Sequence, residues 1–229
     1  MEIAQAAHQI HRVTNFQDLV NTPFQGEVNA ICWPRELVGD FSEIVKKIET
    51  NDNITVFGEE ELLELELTDQ GKLAREILLN DWKLLADYGA DPLLNVIKYY
   101  ERDEADSFFP TDVYSFHVDR SPIPSATFLC TYYGEPSEIL PNAQVIQKIH
   151  VPKIREELKK QFDGPEADFE TYLSENFYDL HYQAKSNSLP ISLGIGNLWR
   201  LAIDHPESKV PPCVHRAPKE KTSRLLLIC

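Results

Sequence analysis

Residues Pro110–Gly134 read PTDVYSFHVDRSPIPSATFLCTYYG and carry the strongest signal for the fold. Two parts of this stretch, Asp112–Val118 and Ala126–Tyr133, are short and rich in aromatic and β-branched residues, and a proline-containing segment separates them. That texture is typical of strands joined by irregular connections. The stretch therefore predicts two neighbouring strands of a β-rich core.

Outward from this stretch, the chain divides into strand-like and helix-like segments. Further strands are expected over residues 27–33, 96–101, 178–184, 191–193, 198–203 and 223–229. Helical spacing of apolar residues appears over 35–50, 69–89 and 152–162, with 168–176 as a shorter candidate and 1–25 as an irregular lead-in. This order predicts an α+β, β-rich single domain over residues 1–229. Residues 1–105 would form a mainly helical N-terminal cover, and 106–229 a jelly-roll core that leaves few exposed sheet edges.

The composition limits the classes of partner. The 229 residues include 22 Lys and Arg against 37 Asp and Glu, a formal net charge of −15. Such acidity argues against broad binding to nucleic acid, where cationic surface supplies most of the affinity. No apolar run approaches the ~20 residues of a membrane span, and no secretory signal is recognisable. The four scattered cysteines form no CxxC pair, so we expect a cytoplasmic protein with reduced thiols and no thiolate zinc site.

The end of the first predicted strand carries a candidate metal site. Alternate residues of a strand point to one face, so the imidazole of His117 and the carboxylate of Asp119 can converge on one ion. The best third ligand is His215, in the segment PCVHR just before the last predicted strand. Two histidines and one carboxylate on one side of an ion form the facial triad of non-haem Fe(II) oxygenases, which leaves positions open for a 2-oxo acid and O2. A hydrogen-bonded surface pair is the alternative for His117 and Asp119.

A charged residue interrupts the apolar terminal strand. Arg224 lies nine residues after His215, within the segment SRLLLI. Burying a guanidinium without a partner is costly. A dicarboxylate co-substrate would supply that partner, since arginine can grip a carboxylate with two parallel hydrogen bonds. An edge-strand arginine paired with one of the many acidic residues is the alternative.

Together, His117, Asp119, His215 and Arg224 resemble the pattern of the Fe(II)/2-oxoglutarate-dependent dioxygenase superfamily over Pro110–Cys229. The segments YSFHVDRSP, TFLCTYYGEPSE, LGIGNLWRLAIDHP and VHRAP are also similar to an uncharacterised bacterial family with a VHR(A/S)P segment. The resemblance implies a double-stranded β-helix, a jelly-roll variant. It also implies that Fe(II) is held by the first three residues and that Arg224 binds the distal carboxylate of 2-oxoglutarate.

The chain departs from the simplest superfamily pattern in two places. His215 follows His117 by 98 residues, an interval that includes two predicted helices. The usual RxS reads Arg224-Leu225-Leu226, which removes a hydroxyl contact to the co-substrate. The hydroxyl candidates on the adjacent predicted strand are Thr127, Thr131 and Tyr133.

Other residues compete for these roles. Arg216 is the second candidate for the carboxylate anchor, although it points away from His215 if the chain is extended. Arg120 would either reach the cavity mouth or form a solvated ion pair. The alternative third ligands are His150, His181 and His205.

Three functions remain open from the sequence. The first is an Fe(II)/2-oxoglutarate-dependent oxygenase, ending in hydroxylation of a small-molecule or peptide substrate. The second is a cupin-type metalloenzyme that does not use 2-oxoglutarate, and the third is a non-catalytic interaction module with an acidic surface. Under any of them, the helical part would serve as a scaffold or as the surface of a homodimer.

Overall fold

The computed structural model describes residues 8–50, 52–103 and 108–229. The strands are β1 (Ile10–Arg12), β2 (Ala30–Trp33), β3 (Ile54–Phe57), β4 (Leu93–Ile97), β5 (Ala126–Tyr133), β6 (Glu138–Leu140), β7 (Val145–Gln147), β8 (Tyr182–Ala184), β9 (Ile191–Ser192), β10 (Leu198–Ala202), β11 (Val214–Arg216) and β12 (Arg224–Ile228). The α-helices are α1 (Phe16–Asn21), α2 (Phe41–Lys47), α3 (Glu59–Glu64), α4 (Asp69–Tyr88), α5 (Pro152–Gln161) and α6 (Phe169–Glu175).

The strands form one large sheet and two small ones. The large sheet has seven strands in the order β1-β2-β10-β5-β12-β4-β3 and is antiparallel except for the β1–β2 pair. A three-stranded sheet has the order β11-β6-β9, and β7 pairs with β8. The expected α+β class is confirmed, because a large antiparallel sheet is combined with several helices.

The two faces of the large sheet bury different cores. On one face, Leu225 and Leu227 of β12 pack in a cluster with α4 residues such as Leu78. On the other face, Leu226 packs in a cluster that includes Ile139 of the three-stranded sheet. The alternation of strand residues therefore sends one side of β12 to the helices and the other side to the small sheet.

Local sequence signals explain where the main helices begin and end. Thr68 caps α4 by accepting a hydrogen bond from the Gly71 amide, and Gly89 ends the helix with a φ of 95°. The helix expected over 35–50 begins only at Phe41, because Asp40 caps it after an irregular segment in which Gly39 has a φ of 105°. Strand β5 occupies the residues that its sequence predicts.

The expected division at residue 105 needs correction. Four of the seven strands in the large sheet, β1 to β4, come from the N-terminal part of the chain. This part is therefore built into the β core and is more than a helical cover. The expected irregular lead-in contains β1 and α1, and the strand expected over 96–101 lies at Leu93–Ile97 instead. Among the residues that the structure describes, no helix has the length and apolarity of a membrane span.

Candidate metal centre

His117 and His215 are joined through their backbones. The His117 amide donates to the His215 carbonyl at 2.9 Å, and the His215 amide donates to the His117 carbonyl at 2.9 Å. Such a reciprocal pair places the two side chains opposite each other on one face. The expected strand over 112–118 is wrong in extent, because His117 forms only isolated bridges there, to His215 and to His181.

In both imidazoles, Nδ1 contacts a backbone carbonyl oxygen, so Nε2 is the nitrogen left to bind a metal. Nδ1 of His117 lies 2.7 Å from the Ser115 carbonyl oxygen, and Nδ1 of His215 lies 3.2 Å from the Cys213 carbonyl oxygen. A carbonyl oxygen can only accept, so each Nδ1 carries a hydrogen, and in the neutral form of such a ring the lone pair is on Nε2. The ring centroids are 4.6 Å apart. This is the way in which backbone carbonyls orient histidines that bind metals.

Asp119 completes a three-ligand cluster. Its Oδ2 lies 3.6 Å from Nε2 of His215 and accepts a hydrogen bond from the Thr127 hydroxyl. One donor atom from each of His117, Asp119 and His215 lies within 4.8 Å of the others. Donors on one ion are about 3–4 Å apart when each bond is about 2 Å long, so small side-chain movements would bring all three onto one ion.

The protonation states suit a cation. Burial, and to a smaller extent the neighbouring His215, lower the pKa of His117 to about 4. Burial opposes ionisation of Asp119, but His215 and the Thr127 hydroxyl outweigh it and lower the pKa of the carboxyl. At neutral pH the cluster therefore holds a neutral His117 imidazole and an ionised Asp119 carboxylate, which are the forms that bind metals.

A cavity of about 250 Å³ connects this cluster with Arg224. It lies between the large sheet and the three-stranded sheet. Its lining residues are Ile54, Asn95, Ile97, Tyr100, Val113, His117, Asp119, Leu129, Ser137, His215, Ala217, Arg224, Leu226 and Ile228. The cavity is therefore lined mainly by apolar residues. Its other lining groups include the three candidate metal ligands and the guanidinium of Arg224.

Arg224 is a buried cation with neutral partners. Its side chain is only 1% exposed, and its Nη2 donates to the hydroxyls of Thr131 at 2.8 Å and Ser137 at 2.7 Å. Its Nε has no hydrogen-bond partner, and no carboxylate among the described residues forms an ion pair with it. Burial lowers the pKa of Arg224, although Tyr100 and Glu220 oppose that shift. The arrangement leaves room for an anion that the described residues do not supply.

The other candidates for contacts to the co-substrate differ in whether they face the cavity. Thr131 contacts Arg224, as described above. Tyr133 instead packs against the core on the helical face, because the pairing register of β5 and β12 shifts between Leu225 and Leu226 and turns it away. Arg216 does not line the cavity, since its Nη2 lies 2.7 Å from Glu138 and its guanidinium stacks on Phe116.

The remaining predicted residues lie outside the three-residue cluster. Arg120 forms ion pairs with Asp179 at 2.5 Å and Asp204 at 2.7 Å, in agreement with the ion-pair alternative. Among the alternative third ligands, His181 lies beside His117 with ring centroids 5.9 Å apart, but it is outside the three-residue cluster. His150 and His205 are also outside it.

Sequence reasoning missed two residues that shape this site. Ser137, which bonds Arg224, follows the turn after β5, and Tyr100, which lines the cavity, follows β4. Neither has a periodic or motif signal of its own. Comparison with protein-family models, curated proteins and solved structures finds no match to this chain.

Proposed function

We propose that this protein is an Fe(II)- and 2-oxoglutarate-dependent oxygenase that hydroxylates its substrate. The observation that carries the proposal is the shared cavity. One wall holds the His117, Asp119 and His215 donors, and the same cavity holds Arg224, a buried guanidinium without an ion-pair partner in the described part of the chain. Three metal ligands alone would be compatible with many activities. The buried guanidinium in the same cavity favours a small anionic ligand that binds beside the metal.

The strand order supports a jelly roll around this cavity. In the large sheet, the order β10-β5-β12-β4 forms one layer, and in the facing layer His117 bridges to β11 of the order β11-β6-β9. From β9 onward the chain alternates between the layers: β10 is in the large sheet, β11 in the small sheet and β12 in the large sheet. Two layers of four pairing segments connected in this way are typical of a jelly roll.

The donor set fits Fe(II). Two imidazole Nε2 atoms and one carboxylate on one side of an ion are the ligands of the 2-His-1-carboxylate facial triad. The Ser115 and Cys213 carbonyls hold the two rings, and the Thr127 hydroxyl holds Asp119, so the three groups are oriented before an ion arrives. When bound, Fe(II) would supply the redox chemistry that couples O2 reduction to oxidative decarboxylation of 2-oxoglutarate.

Arg224 would hold the distal carboxylate of 2-oxoglutarate. Its Nη2 is already oriented by Thr131 and Ser137, so the fork is held in place before the anion arrives. Leu129 and Leu226 line the cavity and exclude water from the ligand. Arg224 is already buried before a ligand binds, so its desolvation adds no cost to binding. A carboxylate would then gain a charge-assisted hydrogen bond in a largely dry site.

Titration under anaerobic conditions tests the proposal. We expect one Fe(II), or Mn(II) as a surrogate, per chain. 2-Oxoglutarate should then bind to the metal-loaded protein with a weak visible charge-transfer band in the Fe(II) form. His117→Ala should abolish metal binding, since two ligands remain on the ion. His150→Ala is the matched control, because this exposed histidine lies outside the cluster, and it should bind metal as the wild type does.

Two results would contradict the proposal. Stoichiometric metal without 2-oxoglutarate binding would favour the cupin-type metalloenzyme. Full metal occupancy in His117→Ala, or no metal in the wild type, would exclude the three-ligand cluster and favour a non-catalytic protein.

A further inference from the structure

The cavity is lined in part by residues of β3 and β4, at one edge of the large sheet. We define the β3–β4 wall as Ile54 and Val56 of β3 together with Leu93, Asn95 and Ile97 of β4. These residues share one face, because they alternate along their strands and Val56 pairs with Asn95. Ile54, Asn95 and Ile97 line the cavity that also contains the three candidate metal ligands and Arg224. The wall is therefore continuous with the candidate metal centre.

Three side chains of this wall are exposed although they are apolar. Ile54 is 40% exposed, Val56 is 55% exposed and Leu93 is 46% exposed. On the opposite face of β3, Phe57 is buried in the helix-side core. Apolar side chains that cluster at the mouth of a cavity mark a ligand surface more often than scattered exposed ones do.

The charges in the cavity restrict what can lie on this wall. Its charged lining residues are Asp119 and Arg224, apart from the two histidines, and the proposed function commits all of these to the metal and to 2-oxoglutarate. The polar group on the wall is Asn95, which is 6% exposed and whose Nδ2 donates to the Leu93 carbonyl at 3.1 Å. A charged substrate group in this space would find no counter-ion among the described lining residues, so burying it there would be costly.

We infer that the substrate is a small, uncharged, lipophilic molecule whose apolar part lies across the β3–β4 wall. This inference rests on the proposed function for its assignment of Asp119 and Arg224. Strand β3 is two strand spacings from β12, so the apolar part spans about 10 Å of wall between the mouth and the interior. A peptide added at the free edge of β3 would lie about 14 Å from β12, the strand that carries Arg224.

Three probes with the same alkyl chain test the inference: 1-hexanol, hexylammonium and hexanoate. Binding is followed in protein whose Asp119 and Arg224 are occupied, from protein methyl resonances with diamagnetic Zn(II) and 2-oxoglutarate bound, and from broadening of the probe resonances with Mn(II) and 2-oxoglutarate bound. We expect 1-hexanol to shift the methyl resonances of Ile54, Val56 and Leu93 and to be broadened by Mn(II). The two charged probes should bind at least tenfold more weakly.

Val56→Lys should weaken 1-hexanol binding at least tenfold without changing metal affinity. The matched control is Leu63→Lys on α3, a residue that is 54% exposed and absent from the cavity lining, and it should bind 1-hexanol as the wild type does. Equal binding of hexylammonium or hexanoate, an unchanged Val56→Lys variant, or binding of an extended peptide to β3 in place of 1-hexanol would overturn the inference. Binding of 1-hexanol at the wall in a protein that takes up no metal would support the wall as a lipophilic site while the proposed function fails.

Discussion

Two arginines with little exposed surface, Arg35 and Arg224, lie on opposite sides of strand β5, and their surroundings differ. On the helical side, Nη1 of Arg35 lies 2.6 Å from Asp81, whose other oxygen accepts from the Tyr132 hydroxyl at 2.7 Å. On the cavity side, Arg224 bonds the neutral hydroxyls of Thr131 and Ser137. Because Thr131 and Tyr132 are adjacent on one strand, the same sequence segment serves both sites.

The difference indicates two uses of a buried cation. Arg35 has a permanent counter-ion from α4, and it also donates to the Gly196 carbonyl at 2.9 Å and stacks on Trp33. Its charge therefore holds a helix against the sheet. In the described residues, Glu220 acts on Arg224 only from beyond ion-pair distance and no carboxylate contacts the guanidinium, so its charge is available for contact with a ligand. A buried ion pair adds rigidity, whereas a buried unpaired cation creates a preference for anions.

The largest effect that we expect is on the helical side. Asp81→Asn should lower the free energy of unfolding by about 3–5 kcal/mol, because it leaves a buried guanidinium without its counter-ion. Chemical denaturation measures this loss. The control is Asp87→Asn in the exposed pair with Lys83, which should change stability by about 0.5 kcal/mol or less. A small effect at Asp81 would mean that Arg35 and Arg224 do not differ in the way proposed.

The second effect is on ligand affinity. Arg224→Met should weaken 2-oxoglutarate binding to the Mn(II)-loaded protein about 30- to 1,000-fold, because a contact worth about 2–4 kcal/mol is lost at about 1.4 kcal/mol per decade. Stability should be unchanged or higher, since an apolar side chain of similar length replaces an unpaired buried charge. Isothermal titration and denaturation measure the two quantities.

Arg216→Met is the control for this second prediction. Its guanidinium pairs with Glu138 outside the cavity, so 2-oxoglutarate affinity should be that of the wild type. If Arg216→Met loses the co-substrate and Arg224→Met keeps it, the anchor is assigned to the wrong arginine.

The smallest effect concerns the hydroxyl that orients Arg224. Thr131→Val removes one acceptor and keeps the side-chain shape, so 2-oxoglutarate affinity should fall about 2- to 10-fold, which corresponds to a hydrogen bond of about 0.5–1.5 kcal/mol. Metal affinity should not change. Thr55→Val, on the edge strand β3 and outside the cavity lining, provides the comparison and should leave both affinities unaltered. Losses at Thr131 as large as those of Arg224→Met would indicate that the variant disturbs β5 itself.

Local patterns predicted the parts of the fold and of the candidate site that depend on neighbours in sequence. The two-residue spacing of His117 and Asp119 places their donor atoms together with those of His215, and the apolar spacing of α4 gives its full length. The short strands β1 and β3 have only three and four residues, and their place in the large sheet depends on distant pairing partners. Such partners leave no periodic signal in a short segment.

Deciding which of the candidate anchors lines the cavity also required the tertiary structure. Arg216 pairs with Glu138 because β11 and β6 align them in register, and no local pattern links positions so far apart in sequence. Tyr133 has the same strand parity as Thr131, but the register shift opposite Leu225 turns it to the helical core. The rule that alternate strand residues share a face fails at such an irregularity, because Thr131 and Tyr133 on either side of it point to opposite faces.

The reciprocal backbone hydrogen bonds between His117 and His215 set the order of events during biosynthesis. The two residues are 98 positions apart, so a growing chain holds only part of the donor set until residue 215 has emerged from the ribosome and folded back. Closing so long a loop is a slow, non-local step. All three residues can therefore hold an ion together only once this pairing has formed, and an ion bound preferentially to that state stabilises it against unfolding.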